Sequence, residues 1–63
     1  SLLSVLDGIP GIGGVRKRAL LLSFGSLKRI KEATLAELLE VPSMNERVAQ
    51  EILDSIGPTS KST

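Results

Sequence analysis

The residues best placed to do chemistry in this chain are Gly11, Ile12 and Gly13, followed closely by Arg16, Lys17 and Arg18. Two glycines around one aliphatic residue allow positive φ and strip side chains from the outer surface of a turn. Ile12 can then plug inward while the amides around Gly11 and Gly13 face outward. Through Gly14 and Val15 those amides run into a helix start, where the first N–H groups have no partner within the helix. Backbone donors in such a place form an anion pocket suited to phosphate. The alternative is an αα-hairpin turn whose glycines serve geometry alone.

The cations bear on that choice. Arg16, Lys17 and Arg18 fall in the first turn of the helix, the wrong end of its dipole, where each costs about 0.3–1 kcal/mol. Nothing in the sequence offsets three such residues, and a local rule broken without compensation tends to mark function. A bound phosphate would compensate. Successive helical residues point in different directions, so two of the three can flank an anion at the helix tip while the third faces solvent. A solvated basic patch is the alternative.

Composition excludes most other chemistry. There is no Cys and no His, hence no thiolate nucleophile, no Cys-based zinc site and none of the commonest general base and metal ligand. Acidic residues such as Glu37, Glu40, Glu46 and Asp54 read as solvated surface groups, and without His or Cys no nucleophile–base pair can be assembled. No catalytic residue, metal or cofactor is expected. With one Phe and no Trp or Tyr, the aromatic stacking used by many single-strand binders is missing. Sixty-three residues make one small domain, burying only about 60% of its unfolded surface and too thin for a deep cleft. The longest uninterrupted apolar run, Ala19 to Leu22, is far too short to span a membrane. Because the chain opens on Ser1, it is expected to be a piece of a larger protein.

A net charge of +1 argues against a polyanionic partner until it is divided by region. Residues 1–32 hold six cations and two acids, and residues 33–63 hold two cations and five acids, so the halves carry +4 and −3. Lys28, Arg29 and Lys31 lie off the apolar edge of their segment and extend the basic surface or form a solvated helix face.

The elements that must position these residues are helical throughout. Leu2 to Asp7 is a short apolar segment stopped at Gly8, and Ile9 to Gly14 is too rich in Gly and Pro for helix interior. A helix is expected from about Val15 to Phe24, with Gly25 as a left-handed C-terminal stop. Ser26 can cap a connector helix carrying Leu27, Ile30 and Ala33 on one edge. Thr34-Leu35-Ala36-Glu37 is a capping box, predicting a helix from about Leu35 to Glu40. From Glu46 to Ile56 the wheel divides cleanly, with Val48, Ala49, Ile52, Leu53 and Ile56 on one arc. Gly57-Pro58 ends it, and residues 58–63 read as a disordered polar tail.

The chain repeats itself. Sliding Ile9–Gly25 onto Val41–Gly57, an offset of 32, matches or conservatively pairs eight of 17 positions, including Pro10 with Pro42, Ile12 with Met44 and Gly25 with Gly57. The unit is helix–tight turn–helix used twice, so the fold is all-α. In the second copy Ser43 and Asn45 replace the glycines, and Glu46 opens the helix with Arg47 as its only cation. Asn tolerates left-handed geometry and caps helices, whereas Ser43 costs more if positive φ is needed. The second turn therefore reads as structural, or as a weaker contact through Asn45 and Arg47.

Two hairpins joined by a connector resemble the tandem helix-hairpin-helix, (HhH)2, fold of DNA repair proteins, a SAM-like arrangement of about five short helices. Hairpin 1 would span about 2–24, the connector 26–33 and hairpin 2 about 35–56, within one domain over 1–57. The run Val5-Leu6-Asp7-Gly8-Ile9-Pro10-Gly11-Ile12-Gly13, then Arg16-Lys17-Arg18-Ala19-Leu20-Leu21 and Phe24-Gly25-Ser26-Leu27-Lys28, is similar to the C-terminal domain of the UvrC family of bacterial nucleotide-excision-repair endonuclease subunits. Ala33-Thr34, Glu37-Leu38 and Val41-Pro42 continue the likeness. The resemblance implies a module, not itself an enzyme, that binds DNA without sequence specificity through backbone phosphates near single-/double-strand junctions and supports 5′ incision by a longer, cytoplasmic protein. It implies phosphate contacts at Gly11, Ile12, Gly13, Gly14, Val15, Arg16, Lys17 and Arg18, and weaker ones at Asn45, Arg47 and Lys28. The partners implied are DNA and, through the longer protein, other excision-repair subunits, with no membrane and a monomeric isolated domain. Gly14 and Val15 stand where the family usually has Pro-Lys, and Ser43 and Asn45 where it usually has Gly and a small residue. A protein–protein dimerisation domain, the use XPF-type proteins make of the same fold, is the alternative.

Overall fold

Five helices follow one another in the computed structural model, which describes residues 4–58: α1 (Ser4–Asp7), α2 (Gly14–Phe24), α3 (Leu27–Glu32), α4 (Leu35–Leu39) and α5 (Glu46–Ile56). No strand occurs among the described residues. Leu2 and Leu3, assigned above to the first helix, and the polar tail over 59–63 lie outside them. The architecture is the all-α tandem arrangement expected, with α2 opening one residue earlier than predicted and Glu40 serving as the cap of α4.

Local chemistry places the helix ends. Ser26 Oγ accepts from the Arg29 N–H at 3.3 Å, opening α3. Thr34 and Glu37 complete the capping box, with bonds of 3.1 and 2.9 Å, and open α4. Asn45 Oδ1 accepts from the Val48 N–H at 2.9 Å and opens α5. Gly25 ends α2 in the left-handed region at φ 85, its N–H donating to Leu21 O at 2.8 Å.

The sequence repeat is a repeat of hydrogen bonds. Ile9 N–H donates to Leu6 O and Val41 N–H to Leu38 O, both at 3.1 Å. Ile12 N–H donates to Ile9 O at 3.1 Å and Met44 N–H to Val41 O at 3.2 Å. Each turn thus places Pro at its second position and a positive-φ residue at its third, Gly11 at φ 88 and Ser43 at φ 68, the pattern of a type II turn. Lys17 N–H to Gly13 O and Ala49 N–H to Asn45 O, both at 3.0 Å, then start the following helices. The likeness fails at the last matched pair. Gly57 is extended at φ −68, ψ 175, as a residue before proline prefers. It is small because a Cβ there would lie 2.6 Å from Leu53 O.

Every helix and both turns supply the core. Leu6, Leu20, Ile30, Leu38 and Ile52 are its fully buried large side chains, joined by Ile9, Ile12, Val41, Val48, Ala33 and Ala49. Equivalent positions of the two units, Leu6 with Leu38, Ile9 with Val41 and Leu20 with Ile52, are buried together. The plugs are less alike: Ile12 is buried and Met44 only half-buried. No polar or charged residue is buried among the described residues, so burial of apolar surface carries the fold. Helix α2 packs on α3 and α4 on α5.

The two turn glycine positions differ in what they tolerate. Ser43 pays the steric cost of a left-handed L-residue, so Ser43→Gly should stabilise the chain by roughly 0.5–1 kcal/mol after the extra entropy lost by glycine. A Cβ at Gly11 would lie 2.8 Å from Val48 Cγ2. Gly11→Ala combines that overlap with backbone strain and should cost about 2–4 kcal/mol. Thermal unfolding of the two variants beside the parent chain checks both signs.

Candidate functional site

Gly11, Ile12 and Gly13 form the tip of the first hairpin as expected, with Ile12 turned into the core and Gly11, Gly13, Gly14 and Val15 exposed. Only Gly11 needs positive φ. Gly13 is extended at φ −98, ψ −169, a conformation open to any residue. What it contributes is space: nothing lies within 4 Å of a Cβ built at Gly13 or at Gly14.

Gly13 is also the N-cap of α2, and it supplies no side-chain acceptor. Intrahelical bonding begins only at the Lys17 N–H. The N–H groups of Gly14, Val15 and Arg16 therefore meet no acceptor in their own helix, and among the described residues no side chain covers them as Ser26, Thr34 and Asn45 cover the openings of α3, α4 and α5. At the same place in the second unit, the Asn45 carboxamide already occupies the position an anion would take.

The cations are arranged differently from the expectation that nothing offsets them. Arg16 donates from Nε to Ser43 O at 2.8 Å and from Nη1 to Gly11 O at 3.0 Å, joining the two turns. Lys17 Nζ lies 2.7 Å from Asp7 Oδ1, an ion pair between α2 and α1. Two of the three unfavourable charges thus have partners within the fold. Arg18 is exposed, with no partner among the described residues. The reason is register. At the 32-residue offset Arg16 and Lys17 match Val48 and Ala49, both buried, and Arg18 matches the exposed Gln50. Arg16 and Lys17 lean toward the interior, where their heads find oxygens, and Arg18 faces water.

Asn45 and Arg47 share a groove of about 350 Å³ with Pro10, Gly11, Arg16, Val48 and Glu51, so the structure brings these second-hairpin residues to the first turn. Asn45 is committed to its cap, and Glu51 adds a negative charge there. Lys28 is not brought to the same point. It stands in the first turn of α3, beyond the C-terminal end of α2, a helix whose 11 residues separate it from Gly14 by about 15 Å. Sequence reasoning missed the Arg16 bridge and the Asp7–Lys17 pair. The repeat carried the signal for the first, since it sets Arg16 opposite a residue on the apolar arc of α5. No spacing rule links Asp7 to Lys17.

Two type II turns, each followed by a helix and packed against one another, define a tandem helix-hairpin-helix module. Residues 2–57 match the family described as the helix-hairpin-helix motif, and the chain belongs to that family. It is 55% identical over 53 residues to UvrABC system protein C of Thermobifida fusca, covering 84% of this chain and 8% of that protein. It is 56% identical over 54 residues to the protein of that name from Moorella thermoacetica (86% and 9%), and 47% over 58 residues to that from Salinispora tropica (92% and 9%). The chain thus spans less than a tenth of the length of these relatives.

The Asp7–Lys17 pair is a surface contact between half-covered groups, for which about 0–1 kcal/mol is usual. Asp7→Asn should accordingly lower the unfolding temperature by no more than about 8 °C in a chain this small, and the loss should shrink in 1 M salt as screening removes the pair.

Proposed function

We propose that the chain is a DNA-binding module that grips backbone phosphates without reading sequence, with residues Gly11–Arg18 as its contact segment. The observation that carries this is the uncapped opening of α2: exposed N–H groups at a positive helix end, cleared of side chains by Gly13 and Gly14 and flanked by cations. A phosphate oxygen would accept from the Arg16 amide, with those of Gly14 and Val15 beside it, as Asn45 Oδ1 accepts from the equivalent Val48 N–H at the head of α5. Gly11 and Ile12 hold the turn, and Lys17 and Arg18 supply charge at the rim. Asp7 would release Lys17 in part as a phosphate approaches. Asn45 and Arg47 form a second, weaker contact, since the Asn45 cap and Glu51 both compete with an anion there. Lys28 would meet a more distant phosphate.

Membership in the helix-hairpin-helix family and likeness to UvrABC system protein C support placing this module, a monomeric domain over 1–57 with a polar tail, inside a longer excision-repair protein. There it would hold DNA near a single-/double-strand junction and support 5′ incision carried out elsewhere in that protein, beside the other repair subunits. Protein docking is the competing use, favoured by Val15 and Leu22, which remain 67% and 81% exposed. Sedimentation of the chain as a dimer would favour that use.

Gly13→Asp gives the decisive comparison. The backbone and the free space at position 13 accept the side chain, which should cap α2 and leave the unfolding temperature unchanged or slightly raised. The same carboxylate would occupy the anion position and repel phosphate. In fluorescence anisotropy against duplex and junction DNA, the parent should bind with affinity falling steeply as salt rises. Gly13→Asp should weaken that binding by about tenfold or more, the equivalent of one charge-assisted hydrogen bond. Parent-like binding by this variant would remove the α2 opening from the contact.

A further inference from the structure

The two turns touch through a reciprocal pair of contacts that the repeat makes visible. Position 16 of the first unit and position 48 of the second are equivalent, as are positions 11 and 43. Arg16 reaches across to Ser43, donating from Nε to its carbonyl at 2.8 Å over a separation of 27 residues. Val48 reaches back to Gly11, its Cγ2 filling the space a side chain there would need. One crossing is polar and the other apolar, and both end on the positive-φ residue of the opposite turn. Arg16 also donates from Nη1 to Gly11 O at 3.0 Å, so one guanidinium holds both turns.

We infer that Arg16 is a positioning residue that fixes the relation between the two hairpin turns, and that it acts on DNA binding through this geometry rather than as a phosphate-binding charge. The inference rests on the DNA-binding reading above for its consequence, but not for the strap itself. A planar guanidinium can meet two separate carbonyls from two of its nitrogens, which a lysine ammonium, a single point, cannot reproduce. The strap also has a local role, since it engages the carbonyl of the strained Ser43. Without it the second turn keeps its own Met44–Val41 bond but loses its tie to the first.

Arg16→Lys and Arg16→Met separate geometry from charge. Without DNA, both should lower the unfolding temperature by about 4–8 °C and move the backbone amide resonances of Ser43, Met44 and Asn45. Both should weaken duplex binding about tenfold, as expected for loss of a hydrogen bond from a charged group. Arg16→Lys should keep the parent's slope of log affinity against log salt, because its charge count is unchanged. If Arg16→Lys binds like the parent while Arg16→Met loses about 0.9 from the slope, the value for one duplex phosphate contact, Arg16 is a direct contact and the inference fails. It fails equally if the unfolding temperature and second-turn resonances of both variants match the parent. Should Arg16→Met not fold, Arg16→Gln, which can keep one of the two bonds, is read in the same assays. If the parent binds no DNA in any salt, the DNA-binding reading falls, and temperature and resonances still decide the strap.

Discussion

Val48 occupies the space that a side chain at position 11 would need, and this close approach of the second helical unit to the first turn is the constraint on which the rest depends. It demands glycine at one turn and permits serine at the other, because Arg16 meets Ser43 through its carbonyl rather than over its Cα. It brings the two turns to one side of the molecule, where their neighbours line a common groove. It also makes one core of two units that are each too small to bury their own apolar residues. Leu20 and Ile52 have no exposure at all, a degree of burial out of reach of a lone pair of short helices.

The same arrangement divides labour between the hairpins. Each turn delivers the chain to a helix start by matched hydrogen bonds, so the backbone offers nearly the same donors twice. The difference lies in one side chain. Asn45 satisfies an amide of α5 internally, adding to stability. Gly13 leaves the head of α2 bare and forgoes that gain. Among α2 to α5, three helices are capped from a side chain and α2 is left open, which sets its unfilled donors beside the exposed Arg18. The halves of opposite charge then acquire a spatial meaning at the turns, where the uncapped tip is basic and the capped one carries Glu46 and Glu51.

Much of this is legible in the sequence alone. Capping residues, glycine stops and apolar spacing marked all five helices to within a residue or so at the ends that the described residues include, because those signals are local and act through bonds three or four residues apart. The repeat paired core positions correctly for the same reason, since equivalent bonds recur at equivalent residues. The equivalence stops at Gly57, where Pro58 imposes an extended backbone and the glycine serves close packing instead of the left-handed geometry of Gly25. The glycines of the first turn were likewise grouped as if both needed positive φ, which only Gly11 adopts. Identity of residue type does not distinguish these uses.

By itself, then, the sequence determined the helices, their caps, the doubled turn and the bare helix head, all consequences of covalent geometry and short-range hydrogen bonding. Only the tertiary structure decided where the charges go. Arg16 and Lys17 read as unmatched cations until packing turned them toward Ser43, Gly11 and Asp7. Those partners lie 27, 5 and 10 residues away. The first depends on how the two helical units rotate against each other, which is set by the summed fit of apolar side chains such as Val48 on Gly11. The other two depend on how α2 packs back on the turn and the helix before it, and no local spacing rule contains either arrangement.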